Sequence, residues 1–400
     1  MIDHRAQSRI RPGWLSAAAY AGMFGFGIVM ALLGAVLPVL ARRLQFDLSH
    51  AGELFLVMNA AMLVTTLGLG PVVDRFGHKL PLVIAPLFVA GALALISRVT
   101  TFEGLVIALV FLGIGGGALN QVTNTLIADL YEDVRKKRAE LNVLGIFFGF
   151  GALFVPFTIG SLLSYLDLGK ILYLAMALSL IPTVLSIPFV FPAPHQREGV
   201  ALTDVGRLVR QPLVLTFSFL LFFESGNEFI LGGYITTYLT RDLRATISVA
   251  SYLLAGYWGA LMLGRVILSR ATLHRSAGSV ILASALAVAA SMTLLLTVRS
   301  ILIAGISVIL LGFSIAMIFP TVLGLAGSSY PSHSGTVFGI LIGLALAGGM
   351  TLPWLVGKFS EGWGIRTGLF VVVVNALAVF GFQLLANTRL ASRKDCLRSG

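Results

Sequence analysis

The chain has 400 residues, of which 57% are hydrophobic and only 11% are charged, whereas soluble domains carry about 25% charged residues. This composition excludes an ordinary soluble protein and indicates a chain that crosses a membrane many times. The net charge of +11 does not point to nucleic acid, because basic residues of membrane proteins collect in cytoplasmic loops. The single cysteine, Cys396, excludes an intrachain disulfide bond.

Apolar segments long enough to cross a bilayer recur along the whole chain. A membrane-spanning helix needs about 20 predominantly apolar residues. The first apolar segment is long enough to span, so we expect no cleavable signal peptide. The twelve predicted spans are 14–41, 50–71, 80–97, 102–131, 139–165, 170–192, 212–239, 246–268, 277–298, 300–328, 334–356 and 365–387.

The longest polar interruption, 193–211, predicts a cytoplasmic linker between two six-helix bundles at 1–192 and 212–400. Residues 24–44 align without gaps on 223–243, with identical phenylalanine, glycine, leucine and arginine positions, so the halves look like repeats. We therefore predict an all-α polytopic membrane protein built from two six-helix pseudo-repeat bundles. Duplicated halves are typical of secondary transporters, whose sites lie near the bilayer midplane.

The distribution of positive charge predicts the orientation of the spans. With the N-terminus placed inside, most of the 28 Lys and Arg residues fall in inner segments, as the positive-inside rule requires. We therefore expect both termini in the cytoplasm and a multi-pass protein of the plasma membrane, which is the inner membrane in a bacterium.

A charged motif, GPVVDRFGHK, follows the second predicted span at residues 70–79. Gly70 and Gly77 allow a tight turn and close helix contact. Asp74, Arg75 and Lys79 suit ion pairs with helix termini. An ordinary charged loop is the alternative interpretation.

This motif resembles the loop between helices two and three of the major facilitator superfamily. The resemblance covers nearly the whole chain and implies that fold. The resemblance also implies a conformational latch, which consists of Gly70, Asp74, Arg75, Gly77, Lys79 and Asp129. In such a latch Asp74 lies near the start of helix eleven, and Arg75 or Lys79 lies near Asp129 at the end of helix four.

A narrower resemblance lies in the second half, where Gly226, Glu228, Gly232, Tyr234 and Tyr238 form a spaced pattern. With segments 257–265, 310–326 and 335–366, this pattern is similar to the sugar-transporting branch related to fucose:proton symporters. In that branch, acids of helices one and four are associated with proton coupling and sugar binding. Here Gly34 and Asn120 occupy those places, which counts against symport and against fucose itself.

Two acids, Glu224 and Glu228, lie one helical turn apart within the seventh predicted span and therefore share a helix face. An ionised carboxylate inside a bilayer costs about 2.5–3.5 kcal/mol on insertion scales. We predict that one of them couples transport to protons or that Glu228 accepts hydrogen bonds from substrate hydroxyls. A structural polar clamp between the halves is the alternative.

The surroundings of these acids carry two further expectations. Gly226, Gly232 and Gly233 are expected to weaken the helix, as happens where backbone lines a cavity. Arg265 is a possible partner for the glutamates, but it lies nearer the cytoplasmic end of its span, so we expect it instead to snorkel or to join the cytoplasmic network.

Amide and aromatic side chains supply further candidates for substrate binding. Amides carry donors and acceptors together, which suits hydroxyl-rich ligands, although hydrogen bonding between helices is the alternative for each. Aromatic rings can stack on a sugar ring. The candidates are the amides Asn59, Asn120, Gln121, Asn124 and Asn142, of which Asn59 and Asn142 are expected to be buried, and the aromatic residues Tyr234, Tyr257 and Trp258.

Other patterns carry no chemistry. The GIGGG stretch at 113–117 lies within a span and predicts close helix packing rather than a phosphate site. The histidines lack metal-ligand spacing, and no nucleophile–base constellation is visible, so we predict no metal, no cofactor and no enzymatic activity.

The predicted function is secondary active transport of a small hydroxylated solute, a sugar by preference, with proton coupling. A proton-driven exporter of drugs or metabolites and an uncoupled sugar facilitator are the alternatives. A receptor that kept the fold is disfavoured because no large soluble domain is present. The expected partners are the substrate, protons and the lipid bilayer, and the resemblance implies a monomer.

Overall fold

The computed structural model describes residues 11–131, 133–192, 202–268 and 275–399. Within these ranges every regular element is a helix, which confirms the predicted all-α class. In chain order the helices are α1 Pro12–Leu44, α2 Leu48–Phe76, α3 Lys79–Arg98, α4 Phe102–Leu130, α5 Val134–Leu162, α6 Leu168–Ser179, α7 Ile181–Ser186, α8 Leu202–Val209, α9 Pro212–Arg241, α10 Ile247–Leu268, α11 Ala277–Thr297, α12 Ile301–Ile315, α13 Ile318–Ser329, a 3₁₀ turn Pro331–His333, α14 Ser334–Trp363, α15 Ile365–Leu369 and α16 Val371–Ser399.

The described residues contain twelve segments that are long and apolar enough to cross a membrane, as predicted. Two of the predicted spans are interrupted: Leu168–Ser186 contains α6 and α7, and Ile301–Ser329 contains α12 and α13. Pro182 and Pro320 lie in the first turns of α7 and α13. Proline has no backbone N–H and clashes with the preceding turn, which accounts for the interruption at both places.

The chain divides into two compact units. Unit 1 comprises Met1–Phe46, Val57–Arg197 and Thr246–Ala255, and unit 2 comprises Asp47–Leu56, Glu198–Ala245 and Gly256–Gly400. The boundary of the two bundles at 193–211 stays a prediction, and 193–201 lie outside the described residues.

In unit 1, α1 and α5 cross with their backbones in contact. A methyl group added at Gly27 would overlap the carbonyl oxygen of Phe148, and one added at Gly151 would overlap that of Phe24. Small residues allow this approach, because association inside a membrane depends on close packing rather than on the hydrophobic effect.

Unit 2 contains a similar crossing between α9 and α14. A methyl group at Gly348 would overlap the carbonyl oxygen of Phe222, and one at Gly226 would overlap Leu352. Gly27 aligns with Gly226 in the sequence and both glycines lie at a helix crossing, so this position of the internal repeat has a counterpart in how each unit is packed.

The GIGGG stretch of α4 packs as predicted. Methyl groups at Gly113 and Gly117 would meet the carbonyl oxygens of Met58 and Met62 on α2, and one at Gly115 would lie 2.9 Å from the carbonyl oxygen of Ala85 on α3. These glycines therefore allow α4 to contact two helices at backbone distance.

We expect Gly151→Ala to lower the thermal unfolding temperature of the purified protein markedly, because the new methyl group must displace α1. Gly145 is the matched control on the same helix, since a methyl group there meets no atom within 4 Å. Gly145→Ala should be neutral or stabilising by up to about 1 kcal/mol. Equal unfolding temperatures for the two variants would contradict backbone contact at this crossing.

Candidate functional site

The two acids lie on α9, which runs without interruption from Pro212 to Arg241. The expected weakening of this helix is wrong, because its glycines are packed rather than open. A methyl group at Gly232 would lie 2.8 Å from Trp258, and one at Gly233 would overlap Phe55. The glycines therefore allow the side chains of Trp258 and Phe55 to pack directly against the helix that carries the acids.

Glu228 pairs with Arg265 of α10. Arg265 Nη2 lies 3.6 Å from Glu228 Oε2, with 32% of the arginine side chain and 12% of the glutamate side chain exposed. The expectation that Arg265 snorkels or joins a cytoplasmic network is therefore wrong. The basic last turn of α10 is the sequence feature that could have indicated the pair, but the distance between α9 and α10 was needed to find it.

Glu224 is more deeply buried than Glu228, with 1% of the residue exposed. Its Oε2 accepts a hydrogen bond from Ser225 Oγ at 3.3 Å, while its Oε1 has no hydrogen-bond partner among the described residues. Both carboxyl groups interact electrostatically with Arg265. Two acids thus share one guanidinium, so the group carries an excess negative charge unless one acid holds a proton.

Tyr257 and Trp258 of α10 complete this group, which we call the glutamate cluster together with Glu224, Glu228 and Arg265. Their rings meet edge to face, with centroids 5.2 Å apart, and both residues are at most 1% exposed. The Tyr257 hydroxyl interacts electrostatically with both acids and with Arg265. It has no hydrogen-bond partner in the described part of the chain, which makes it available to a ligand.

The hydroxyl of Tyr234 is engaged within unit 2, and the predicted stacking of its ring on a substrate stays a prediction. Its hydroxyl donates to the carbonyl oxygen of Pro353 at 3.1 Å, and its ring lies 5.2 Å from that of Phe55. Pro353 lies within α14, so this hydrogen bond joins two helices that are distant in the sequence. Tyr234 therefore ties α9 to α14 and has no hydroxyl proton left for a substrate.

The amide candidates belong to unit 1. Asn124 Nδ2 donates to the backbone oxygen of Asn120 at 2.8 Å and to its Oδ1 at 3.1 Å, so these two side chains are held on one face of α4. Gln121 is half-buried beside them, and Asn59 of α2 is fully buried.

Asn142 is exposed, so its predicted burial is wrong. The face of α5 that packs inward carries Leu144, Phe148 and Gly151. Asn142 precedes Leu144 by two residues, which places it about 200° around the helix from that face.

A carboxyl group in unit 1 escaped the sequence analysis. Tyr20 of α1 donates a hydrogen bond to Glu140 Oε2 of α5, and the Tyr20 ring stacks on Phe147 with centroids 5.1 Å apart. Glu140 follows the basic residues 135–138 in the sequence, which made it look like one more loop charge.

The residues of the predicted latch lie around the turn between α2 and α3. Gly77 has a φ of +73°, so the predicted tight turn needs a glycine there. Gly70 lies inside α2, and a methyl group there would meet no atom within 4 Å. Nothing is described for the side chain of Asp74.

His78, which the sequence analysis did not select, lies beside Asp129, with Nε2 3.5 Å from Oδ2. Lys79 Nζ donates to the carbonyl oxygens of Ile187 and Phe189 at 2.9 and 3.1 Å. The Arg75 guanidinium lies 5.3 Å from the centre of the Phe76 ring. The latch function of these residues stays a prediction.

We expect the glutamate cluster to be coupled energetically. Arg265→Met should destabilise the protein by about 1–3 kcal/mol, less than the roughly 3–5 kcal/mol of a fully buried pair, because the arginine is 32% exposed. In a Glu228→Gln background the same change should cost less, since the carboxylate that lies 3.6 Å from Arg265 is then absent. The coupling is measured from the free energies of unfolding of the two single variants and the double variant. Losses of stability that simply add would contradict the coupling. Arg299→Met, at an exposed arginine, is the control.

Comparisons with known proteins agree with this architecture. A family model described as Major Facilitator Superfamily matches residues 19–342. A glucose/galactose transporter of Brucella abortus is 24% identical over 371 residues, which cover 88% of this chain and 89% of that protein. The fosmidomycin resistance protein of Escherichia coli is 23% identical over 363 residues, with 88% of this chain and 89% of that protein covered.

Solved structures share the fold at low sequence identity. The nucleoside transporter NupG has a TM-score of 0.76 and 16% identity, with 94% of this chain and 99% of that chain covered. The E. coli fucose:proton symporter FucP has a TM-score of 0.64 and 16% identity over 93% of this chain and 98% of that chain. A D-xylose-proton symporter has a TM-score of 0.74 and 16% identity, with 92% and 97% covered. With twelve membrane-spanning helices and a family match over most of its length, the chain belongs to the major facilitator superfamily and is similar to sugar transporters within it.

Proposed function

We propose that this transporter moves a small hydroxylated solute, a sugar, together with protons by alternating access. The observation that carries the proposal is the buried carboxyl of Glu224 next to the Glu228–Arg265 pair. Sugar-transporting relatives, among them the glucose/galactose transporter and a glucose/mannose transporter of Bacillus subtilis that is 20% identical over 352 residues, support the substrate class.

The balance of charge assigns different roles to the two acids. Glu228 has a guanidinium 3.6 Å away, so its ionised form is compensated. Glu224 shares the charge of the same arginine and, among the described residues, accepts a hydrogen bond from Ser225 at 3.3 Å. An ionised carboxylate without its own counter-charge is costly in a dry interior. Glu224 therefore takes up the proton while the site is closed and releases it when water reaches the site, and Glu228 holds Arg265 in place.

Tyr257 supplies the hydroxyl for the substrate in unit 2. A buried hydroxyl that lacks a partner costs about 1–3 kcal/mol, and a sugar hydroxyl would remove that cost. The adjacent Trp258 offers an aromatic surface to the ring of the substrate. On unit 1, Asn120, Gln121 and Asn124 remain the proposed amide ligands, because they are half-buried and carry donors and acceptors together.

The distribution of positive charge supports the proposed setting, in which both termini lie in the cytoplasm and the protein is in the plasma membrane, the inner membrane in a bacterium. The resemblance to the major facilitator superfamily supports a monomer.

We expect Glu224→Gln to abolish sugar-evoked proton movement, with a loss of at least tenfold, while exchange of labelled sugar continues, because glutamine mimics the protonated acid. Proteoliposomes with a trapped pH dye and a panel of monosaccharides measure both. Glu228→Gln is the comparison and should weaken exchange as well, since it frees Arg265. Proton movement that persists in Glu224→Gln would refute the assignment.

Two buried tyrosines allow an effect on substrate binding to be distinguished from an effect on stability, because each can lose its hydroxyl by substitution with phenylalanine. Tyr257→Phe should raise the KM for sugar about tenfold, with an unchanged or higher unfolding temperature, because the lost hydroxyl has no partner within the described residues. Tyr234→Phe loses its hydrogen bond to Pro353 and should destabilise the protein by about 0.5–1.5 kcal/mol with little change in KM. The reverse pattern would remove Tyr257 from the proposed site.

A proton-driven exporter is the second candidate, because the fosmidomycin resistance protein is as well covered as the sugar transporter. In the same proteoliposomes an exporter would move protons in response to drugs and not to sugars. Sugar uptake without proton movement, unchanged in both glutamine variants, would instead identify a facilitator.

A further inference from the structure

A surface groove of about 590 Å³ lies on unit 1, between α3 and α4. Its floor and walls are apolar apart from one arginine at its end. Phe111 contributes from α4, and its ring lies 5.8 Å from that of Phe88. The other principal lining residues belong to α3: Ile84, Leu87, Phe88, Gly91, Leu95 and Arg98.

The groove follows one face of α3 along the direction of the span. Its lining residues are spaced three and four apart, which places them on a single helical stripe. From Ile84 to Arg98 the helix rises about 21 Å at 1.5 Å per residue, more than one leaflet of a hydrocarbon core about 30 Å thick. The groove is therefore long enough to hold the extended acyl chain of a lipid in one leaflet.

Arg98 is the last residue of α3, so it lies where the apolar span ends. Its Nε donates to the hydroxyl of Tyr173 at 2.8 Å, and its guanidinium lies 5.9 Å from the centre of that ring. A second arginine contacts the residue before it in the sequence, since Arg43 Nη1 donates to the carbonyl oxygen of Ser97 at 3.3 Å.

Within the described ranges neither arginine forms an ion pair with a carboxylate. Asp167, which interacts electrostatically with Tyr173, is engaged instead with Lys170, at 3.6 Å from Nζ and at 3.0 Å from the backbone nitrogen. The positive charge at the end of the groove is therefore available to an anion from outside the chain.

We propose that this groove binds one acyl chain of an anionic phospholipid, with the lipid phosphate held by Arg98 and supported by Arg43. Guanidinium groups bind phosphate oxygens through two parallel hydrogen bonds. An apolar groove joined to two unpaired guanidinium groups at the membrane boundary matches both ends of such a lipid.

Two substitutions test the two ends of the site separately. Gly91→Leu fills the groove without disturbing the fold, because a methyl group there meets no atom within 4 Å. Arg98→Gln removes the charge. The matched controls are Gly381→Leu, at another glycine with open space, and Arg299→Gln, at an exposed arginine that follows α11 as Arg98 ends α3.

Native mass spectrometry of the full chain would count retained lipids after titration with phosphatidylglycerol or with phosphatidylcholine of the same acyl chains. The wild type and both controls should retain one phosphatidylglycerol at least tenfold more tightly than phosphatidylcholine. Gly91→Leu should lose the tight lipid altogether. Arg98→Gln should retain both lipids equally, and Arg98→Lys should recover part of the preference.

Three results would overturn the proposal. Equal retention of the two lipids by the wild type would show that the site does not select an anionic headgroup. Retention unaffected by Gly91→Leu would place the lipid elsewhere. If the wild type and the other variants formed a dimer and Gly91→Leu did not, the groove would be the contact site for a second copy of the chain. Unfolding temperatures of all variants establish that each is folded, and transport is not needed as a readout.

Discussion

A bilayer interior offers no hydrogen-bond partners, and this constraint governs the whole structure. Every backbone polar group must be satisfied within its own helix, which is why the described chain is helical throughout. Hydroxyl side chains obey the same rule by bonding to the carbonyl one turn earlier, as Thr65, Thr123 and Thr158 do at 2.7–2.8 Å. Against this background, a buried acid whose second oxygen has no partner in the described residues is one of the exceptions, and with the Tyr257 hydroxyl it marks the proposed site.

The helix that carries the acids is held by contacts that depend on glycine. Gly226, between Glu224 and Glu228, is pressed against Leu352 of α14, and Gly232 is pressed against Trp258 of α10. The same small residues that bring α14 and α10 close therefore also fix where the carboxyl groups point. A larger residue at either position would move the helix and would change the distance between Glu228 and Arg265.

The two units solve the problem of buried polarity in different ways. Unit 2 concentrates charge, with two acids and one guanidinium among large aromatic residues. Unit 1 carries neutral amides on α4 and a single tyrosine–carboxyl contact between Tyr20 and Glu140. Charge that can be titrated suits the coupling of protons, whereas amides suit recognition of hydroxyl groups. In the proposed transporter, the halves of a duplicated fold have specialised in these two tasks.

The sequence by itself determined the class, the number of spans, the packing of the GIGGG stretch and the glycine turn at Gly77, because each depends on local properties: apolar length, residue volume and the φ that glycine permits. It also located Glu224 and Glu228, since their spacing along one helix is fixed by helical geometry. Only the tertiary structure decided which side chains meet. Arg265 pairs with Glu228, and His78 lies beside Asp129. The Tyr234 hydroxyl donates to the carbonyl oxygen of Pro353. The Asn142 side chain is exposed. Each of these outcomes depends on the crossing and rotation of helices from distant parts of the chain, which the backbone contacts at glycine set and which no local pattern encodes.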